Sequence, residues 1–514
     1  MRQYVIGADV GTSGLKATLV GLDGTIAAVA EEGYPLYRPR PDWSENHPED
    51  WWNALVAAVR RVVAISEAPA ETIAAMCIVG QRDNAVLLDS RGDVLTPAIH
   101  WTDRRNIVGA NRLFDRIGRG RIIDVAGIAP ITGLMLPNLD WTRHNLPDVW
   151  AAVRHVLSPK DYLLFKLTGE MGTDSSTPSR SLLNDWRRDD WSAELCEEAD
   201  VPLDILPAID HQPWESVGRL TNDAARLLGL RQGVVLAAGG GDDQAAALGC
   251  GVVDSGDVSV GTGSTMTWRI VAAQPQPDQS GRMCLARHVV PDRYLYEMTA
   301  LGTGTALRWF RESFAGEPGF EPPPYEELIA EAAGVEAGAE GLLFYPYLSG
   351  ATIPLQHDWA SGVFFGIRAG HRRAHFVRAI MEGCSYLYPG ISEIVSSSGA
   401  TIATLTMVDG EARSHAWTQI KADVLDRAIR TPQVLEASAI GASILAGVAG
   451  GLLDSPSDGI AALVRIRETV EPSPDGAARY RALFRSWDEV RRRLFVAFDA
   501  VAPSGEGPGG MAGR

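Results

Sequence analysis

The chain has 514 residues, of which 46% are hydrophobic and 22% charged, and its formal net charge is −17. That length exceeds what one core supports, so two large domains are expected. The acidic balance argues against a surface built for nucleic acid or an anionic membrane, where clustered Lys and Arg are needed.

Residues 3–9 read as a strand, Val10 to Lys16 as a Gly/Thr-rich turn, and 17–21 as a second strand. Asp23-Gly24 signals a hairpin into a third strand over 25–30. Residues 49–65 have helical spacing and 73–79 read as a strand, with Gln81-Arg82-Asp83-Asn84 leaving its end. Two short strands follow at 85–88 and 98–101, turning at Arg91-Gly92. Residues 106–170 read as mainly helical, with a helix starting at Pro159, and 171–215 as loop-rich. Val234 to Ala238 is a short apolar run, followed by Gly239-Gly240-Gly241, Asp242-Asp243 and an Ala-rich helix. Asp242 is the expected N-cap of that helix. Three consecutive glycines imply a hard turn or a ligand close to the backbone.

A second half starts near Gly251 and opens like the first. Val260-Gly261-Thr262 repeats Val10-Gly11-Thr12 between two strands, with Ser259 where the first copy has Asp9. A Gly/Thr turn at 301–305 enters a helix, and helices are expected near 325–335 and 373–388. A strand over 402–408 runs into Asp409-Gly410-Glu411-Ala412 and a helix to about 426, and another helix spans 437–447. The Gly/Pro/Ser-rich residues 501–514 are expected to form a disordered tail. The five cysteines are scattered with no CxxC pair, and read as free thiols in a reducing compartment. With neither a basic segment leading into an apolar h-region nor a bilayer-length apolar run, the cytoplasm is the expected compartment.

Gly-containing turns after strands, at Gly11-Thr12, Gly261-Thr262, Gly302 to Gly304 and Gly410, make anion-binding concavities from backbone amides. Each alone is a plain turn; four in one chain favour a nucleoside triphosphate. There is no GxxxxGK[ST], and no GxGxxG leads from a strand into a helix, so neither a P-loop nor a Rossmann site is supported. Phosphoryl transfer needs Mg²⁺ near a carboxylate and a base for the acceptor proton. Asp9 suits the first role and Asp242 the second, with both as candidate metal carboxylates. Arg82 and Asp83 suit a polyol, one donating and one accepting, with a surface salt bridge as the equal alternative. Trp43 and Trp101 are candidate sugar-stacking rings or core residues. His371 and His375 have metal spacing, but Arg372 stands where a zinc HExxH site needs Glu, so a structural role is expected.

Several segments resemble the FGGY carbohydrate kinases, xylulokinases being the nearest branch. They are Asp9 to Lys16, Trp43-Ser-Glu45, Pro159 to Leu163, Thr168-Gly-Glu170, Gly239 to Asp242, Gly261 to Gly263, Tyr345 to Gly350, Gly362 to Gly366 and Glu382-Gly383. The resemblance runs from about residue 3 to 497. It implies two ribonuclease-H/actin-like α/β domains with a cleft between them, over 1–250 (sugar) and 251–500 (ATP). It implies ATP and Mg²⁺ as cofactors, Asp242 as catalytic base, and Gly11, Thr12, Ser13 and Lys16 near the transferred phosphate. Gly261, Thr262 and Gly304 would meet the nucleotide phosphates, and Gly410, Glu411 and Ala412 would border the adenosine. Arg82, Asp83, Asp103, Asp242 and Asp243 are the candidate acceptor contacts.

Departures from xylulokinases are Arg82-Asp83-Asn84 in place of Met-His-Gly, Asp243-Gln244 after the base, Asn138 where Lys is common, 351–353, and Glu411 in place of a glycine. The expected activity is transfer from ATP to a terminal hydroxyl of a small sugar, a pentulose first, with glycerol, a tetritol or another ketose as alternatives. A non-catalytic sugar- or nucleotide-binding scaffold and an actin- or chaperone-like ATPase are the rivals. No nucleic-acid or membrane partner is expected, and a homodimer is the candidate assembly.

Overall fold

The computed structural model describes residues 3–263, 265–316 and 319–501; the expected tail from residue 502 onward lies outside them. In chain order the elements that matter begin with β1 (Tyr4–Val10), β2 (Gly14–Gly21), β3 (Ile26–Gly33), α1 (Pro48–Ile65) and β4 (Ile73–Gly80). Then come α2 (Met135–Asn145), α3 (Pro159–Thr168), β5 (Ser216–Arg219), β6 (Val235–Gly241) and α4 (Asp242–Gly249). The later part has β7 (Asp257–Thr262), β8 (Thr265–Val271), β9 (Cys284–Arg287), β10 (Tyr294–Leu301), α5 (Thr303–Phe310), α6 (Arg373–Ser385) and β11 (Thr404–Val408). It ends with α7 (His415–Leu425), β12 (Ile429–Pro432), α8 (Ala437–Ala449), β13 (Ile466–Val470) and α9 (Pro474–Val501).

The first sheet has the order β5-β6-β4-β1-β2-β3. β1 pairs antiparallel with β2 and parallel with β4, β6 runs parallel to β4, and β5 is antiparallel to β6. The second sheet has the order β9-β10-β8-β7-β11-β12-β13. There β7 pairs antiparallel with β8 and parallel with β11, β12 runs parallel to β11, and β13 is antiparallel to β12. The β1 and β7 neighbourhoods therefore share one topology, which the three-residue Val-Gly-Thr repeat announced.

The chain divides into two compact units. The first holds 1–254, 271–297 and 436–465, and the second 255–270, 298–435 and 466–514. The first unit includes two segments from beyond residue 254. One is the segment that ends at Glu297; the other is α8, whose Ala/Gly face packs on β1 and α4. In α1, Trp51, Leu55, Ala58, Val59 and Val62 are buried at helical spacing, the stripe that lays the helix on the sheet. With Ile6, Ala8, Leu15 and Leu19 they form the first unit's main core. The two short strands at Val86–Leu88 and Ala98–Ile99 pair with 155–157 and 45–46 rather than with each other. No described helix is long and apolar enough to cross a membrane.

Candidate active site

The turn that delivers Asp242 is shaped by what packs against its glycines. Gly239 has φ +71°, and a Cβ there would lie 1.9 Å from the Ile78 carbonyl oxygen. A Cβ on Gly241 would lie 2.4 Å from Arg82 Cδ and 2.1 Å from Gln244 Oε1. The close approach expected at these glycines is thus made by the protein's own groups. Gly241, not Asp242, is the N-cap of α4; Asp242 is its first helical residue. Its Oδ1 accepts the Asp243 amide at 2.9 Å.

Asp242 is half-buried. Burial, then the neighbouring charge of Asp243, push its carboxyl up to about 7, with Asp9 adding to the rise and Arg82 opposing it. A carboxylate near neutrality is matched to taking a proton at physiological pH. Asp9 ends β1 and faces Lys16 across the β1–β2 register. The Ser438 hydroxyl of α8 donates to Asp9 Oδ2 at 2.5 Å. The Gly11 amide donates to the Gly14 carbonyl at 3.0 Å, closing a turn whose Thr12 and Ser13 are exposed. Tyr34 donates to the Gly11 and Gly14 carbonyls from beneath. Its phenol is held protonated by burial and by the charges of Asp9 and Asp242.

Arg82 leaves β4 into the interior, with 1% of its side chain exposed. Its Nη2 donates to Glu297 Oε2 at 2.9 Å and to Asp243 Oδ2 at 3.3 Å. Gln244 Nε2 donates to the same Glu297 carboxylate at 2.5 Å. Asp83 accepts from Arg180 Nε at 2.6 Å, so Arg82 and Asp83 are each in an ion pair, and not with each other. Asp103 accepts the Ser44 amide at 2.6 Å and Arg105 Nη2 at 2.8 Å. Arg105 also reaches Glu45 at 2.8 Å and lies 3.7 Å from the Trp43 ring centroid. Asp103 therefore ties the Trp43 segment to the loop carrying Trp101, whose indole donates to Thr12 Oγ1 at 3.4 Å. Between these loops His100 is buried and neutral. Burial pulls its pKa down to about 4, against the charges of Asp83 and Asp103.

Sequence reasoning missed the supports beneath this cluster. Lys160 Nζ, 1% exposed, contacts Asp161 at 2.5 Å and Asp174 at 3.0 Å, and donates to the Ala238 carbonyl at 3.1 Å. Asp174 accepts from Ser176, whose Oγ in turn accepts the Gly241 amide at 3.2 Å. A buried Lys with two buried carboxylates thus anchors the backbone on either side of the glycine turn. The Pro159-Lys160-Asp161 motif was its only trace in the sequence. Asn138, on α2, is buried and donates to the Ile99 carbonyl at 3.4 Å.

The second unit carries its own group. Gly261 and Thr262 end β7, and the Thr262 hydroxyl donates to the Val408 carbonyl at 3.1 Å. Gly302 precedes α5, whose first turn contains Gly304. Asp409, just past the end of β11, has φ +68° and is followed by the exposed Gly410. A non-glycine residue held in that region is strained, as functional turns often are. Glu411 turns inward: its carboxylate pairs with Lys421 of α7, and the two side chains are 4% and 0% exposed. Lys421 also lies over the Trp417 ring. The Glu411 charge is thus neutralised within the unit. Glu411→Gln leaves Lys421 buried without its partner and is expected to cost about 3–5 kcal/mol of stability, which denaturant melts check.

Other motifs prove structural. Glu382 accepts the Gly338 amide at 2.9 Å and the Tyr480 hydroxyl at 3.0 Å, and the Tyr345 hydroxyl donates to the Trp487 carbonyl at 3.0 Å. His371 and His375 each accept a backbone amide at 3.1 Å, as expected for a structural pair. All five cysteines are buried, and no disulfide joins them.

Among the described residues no three His, Cys, Asp or Glu side chains form a metal cage. Two carboxylates do stand near one another: the charge of Asp9 helps to raise the Asp242 carboxyl. Mg²⁺ is commonly held so, by one or two carboxylates, waters and substrate phosphates.

The N-terminal domain model of the FGGY family of carbohydrate kinases matches residues 4–249, and its C-terminal domain model matches 256–450. Xylulose kinase of Lactococcus lactis is 31% identical over 95% of this chain and 96% of its own. The crystal structure of xylulose kinase from Rhodospirillum rubrum, 31% identical, superposes with a TM-score of 0.84 over 96% of this chain and 100% of that one. Gluconokinase of Bacillus subtilis is 26% identical over 98% of both chains.

Proposed function

Because this chain belongs to the FGGY family of carbohydrate kinases, we propose that it transfers the γ-phosphate of ATP to a terminal hydroxyl of a pentulose, xylulose first. Asp242 carries the reading: a carboxyl held near neutrality at the start of a helix, beside a second carboxylate on β1. It takes the proton of the acceptor hydroxyl as the oxygen attacks phosphorus. Lys16, opposite Asp9 in the β1–β2 register, offsets charge on the transferring group together with the amides of the Gly11-Thr12-Ser13 turn. Gly261, Thr262 and Gly304 hold the nucleotide phosphates, and the backbone of Gly410 to Ala412 borders the adenosine. Asp9 and Asp242 would hold Mg²⁺, which neutralises phosphate charge when bound. Asp83, Asp243 and the loop tied by Asp103 shape the acceptor side, with Arg82 fixing Asp243.

Xylulose is favoured by the identity and coverage of the xylulose kinases among its relatives. Arg82-Asp83 keeps glycerol or a tetritol as the second acceptor class. The inward pairing of Glu411 removes one motive for a drifted scaffold.

The pH–rate profile tests the role of Asp242. A base must be ionised, and this carboxyl is raised to about 7. With xylulose, kcat/KM is expected to fall below an apparent pKa near 7, approaching tenfold per pH unit. A flat profile from pH 5.5 to 8 would remove Asp242 as the base.

A further inference from the structure

Arg82 raises a question of charge that the kinase reading leaves open. An arginine buried beside the acceptor carboxylates is the residue type that grips a carboxylate with a planar fork. Here one nitrogen of the fork makes all the ion pairs. Nη2 reaches both oxygens of Glu297, at 2.9 and 3.1 Å, and Asp243 at 3.3 Å. Nε and Nη1 are buried with no acceptor, and Nε lies against Gly241, one residue before the base. Gln244 Nε2 holds Glu297 from the other side at 2.5 Å. The charges of Glu297, Asp243 and Asp242 act on Arg82 in its favour, with Arg180 opposing. The carboxylates outnumber the cations, and Glu297 makes the shorter of the two ion pairs that offset Arg82.

We propose that Glu297 sets the charge selectivity of the acceptor site: by neutralising Arg82 it keeps the site acidic, so that uncharged polyols are accepted and sugar acids refused. The inference rests on the kinase reading for its site and goes beyond it in naming the excluded class. Glu297 acts through Arg82 and Gln244 and is a positioning residue, not a catalytic one. Freed of Glu297, Arg82 keeps only the longer pair to Asp243, at 3.3 Å, in a site of low dielectric where a single charge weighs heavily, and its Nε and Nη1, which have no acceptor, become partners for an acceptor carboxylate.

The test pairs neutral acceptors with acids (xylulose, xylitol and glycerol against gluconate, xylonate and glycerate). It reads ADP release from ATP·Mg²⁺ and, separately, acceptor binding by calorimetry without ATP. The wild type is expected to favour the neutral members by about 100-fold or more. Glu297→Gln is expected to narrow that ratio at least tenfold, through KM and Kd of the acid. Glu297→Asp restores it, and Glu297→Met serves if the amide variant does not fold. A merely structural Glu297 would weaken both classes alike and leave the ratio unchanged, which overturns the proposal. So does a wild type that binds gluconate as tightly as xylulose, or that binds no neutral polyol. If polyols bind, acids do not, and no acceptor stimulates ADP release, charge selectivity stands and the kinase reading fails.

Discussion

Asp242→Asn is expected to lower kcat by about 10²- to 10⁴-fold, the range a positioned general base contributes, with acceptor and ATP binding within a few fold of wild type. The amide keeps the shape and hydrogen bonds of the side chain but cannot take a proton. The same change is expected to stabilise the free protein, and the pH dependence identifies the cause. The folded carboxyl titrates near 7, well above an exposed aspartate. The folded state therefore binds more protons than the unfolded state between about pH 4 and 7. Stability from this group is present below the unfolded pKa and is lost as pH rises through the folded one. Asn carries no charge to lose. The variant's advantage in denaturant melts should thus be near zero at pH 4, grow to about 2–4 kcal/mol above pH 7, and then flatten. Equal stability at pH 4 and pH 8 would show that Asp242 is not held under electrostatic stress. Unchanged kcat would show that it is not the base.

Lys160→Met is expected to be the most damaging single change away from the reacting atoms. Removing one partner of a buried ion cluster leaves uncompensated charge and costs about 3–5 kcal/mol. Asp161 and Asp174 would both lose their cation, each less than 3% exposed. Burial drives the Asp161 carboxyl up, with Lys160 opposing. Asp174 stays below its ordinary value against the same burial, because Lys160, Ser176 and Thr177 favour its anion. The Ala238 carbonyl would also lose its donor just before the glycine turn. Activity should fall with stability, and Lys160→Arg should recover only part of either, since a planar fork does not replace a compact ammonium between three acceptors. A Lys160→Met protein with wild-type melting and kcat would mean that the glycine turn needs no such anchor.

Much of the fold was legible because periodicity and turn chemistry act locally. The β1–β2–β3 meander, α1 and its buried stripe, the strand ending at Gly241 and the strand ending at Val408 all follow from short stretches. The units were less legible because two segments leave and return. α8 brings Ser438 to Asp9 across 429 positions, and nothing in its Ala/Gly sequence names that partner. Glu297 sits on β10, 53 positions from Gln244, in a strand that reads as ordinary pleat. Asp9 and Asp242 stood out because each ends an apolar strand at a Gly-rich turn. The meaning of Arg82 was only half visible: its charge was on the page, and the two carboxylates that fix it lie far along the chain, on α4 and β10. Glu411 was legible only as a carboxylate beside a Gly-containing turn; its partner Lys421, ten positions on, faces it inside the unit.

The most direct measurement is acceptor-stimulated ADP release from ATP·Mg²⁺ by the full chain, with xylulose, other ketoses, polyols and glycerol compared by kcat/KM, and the product's phosphate located by NMR. The account predicts that xylulose stimulates release most strongly and carries the phosphate on its terminal carbon. Strongest turnover of a non-pentulose would contradict the pentulose assignment. ATP and sugar both bound with no acceptor phosphorylated would contradict the catalytic reading of Asp242 and its surroundings.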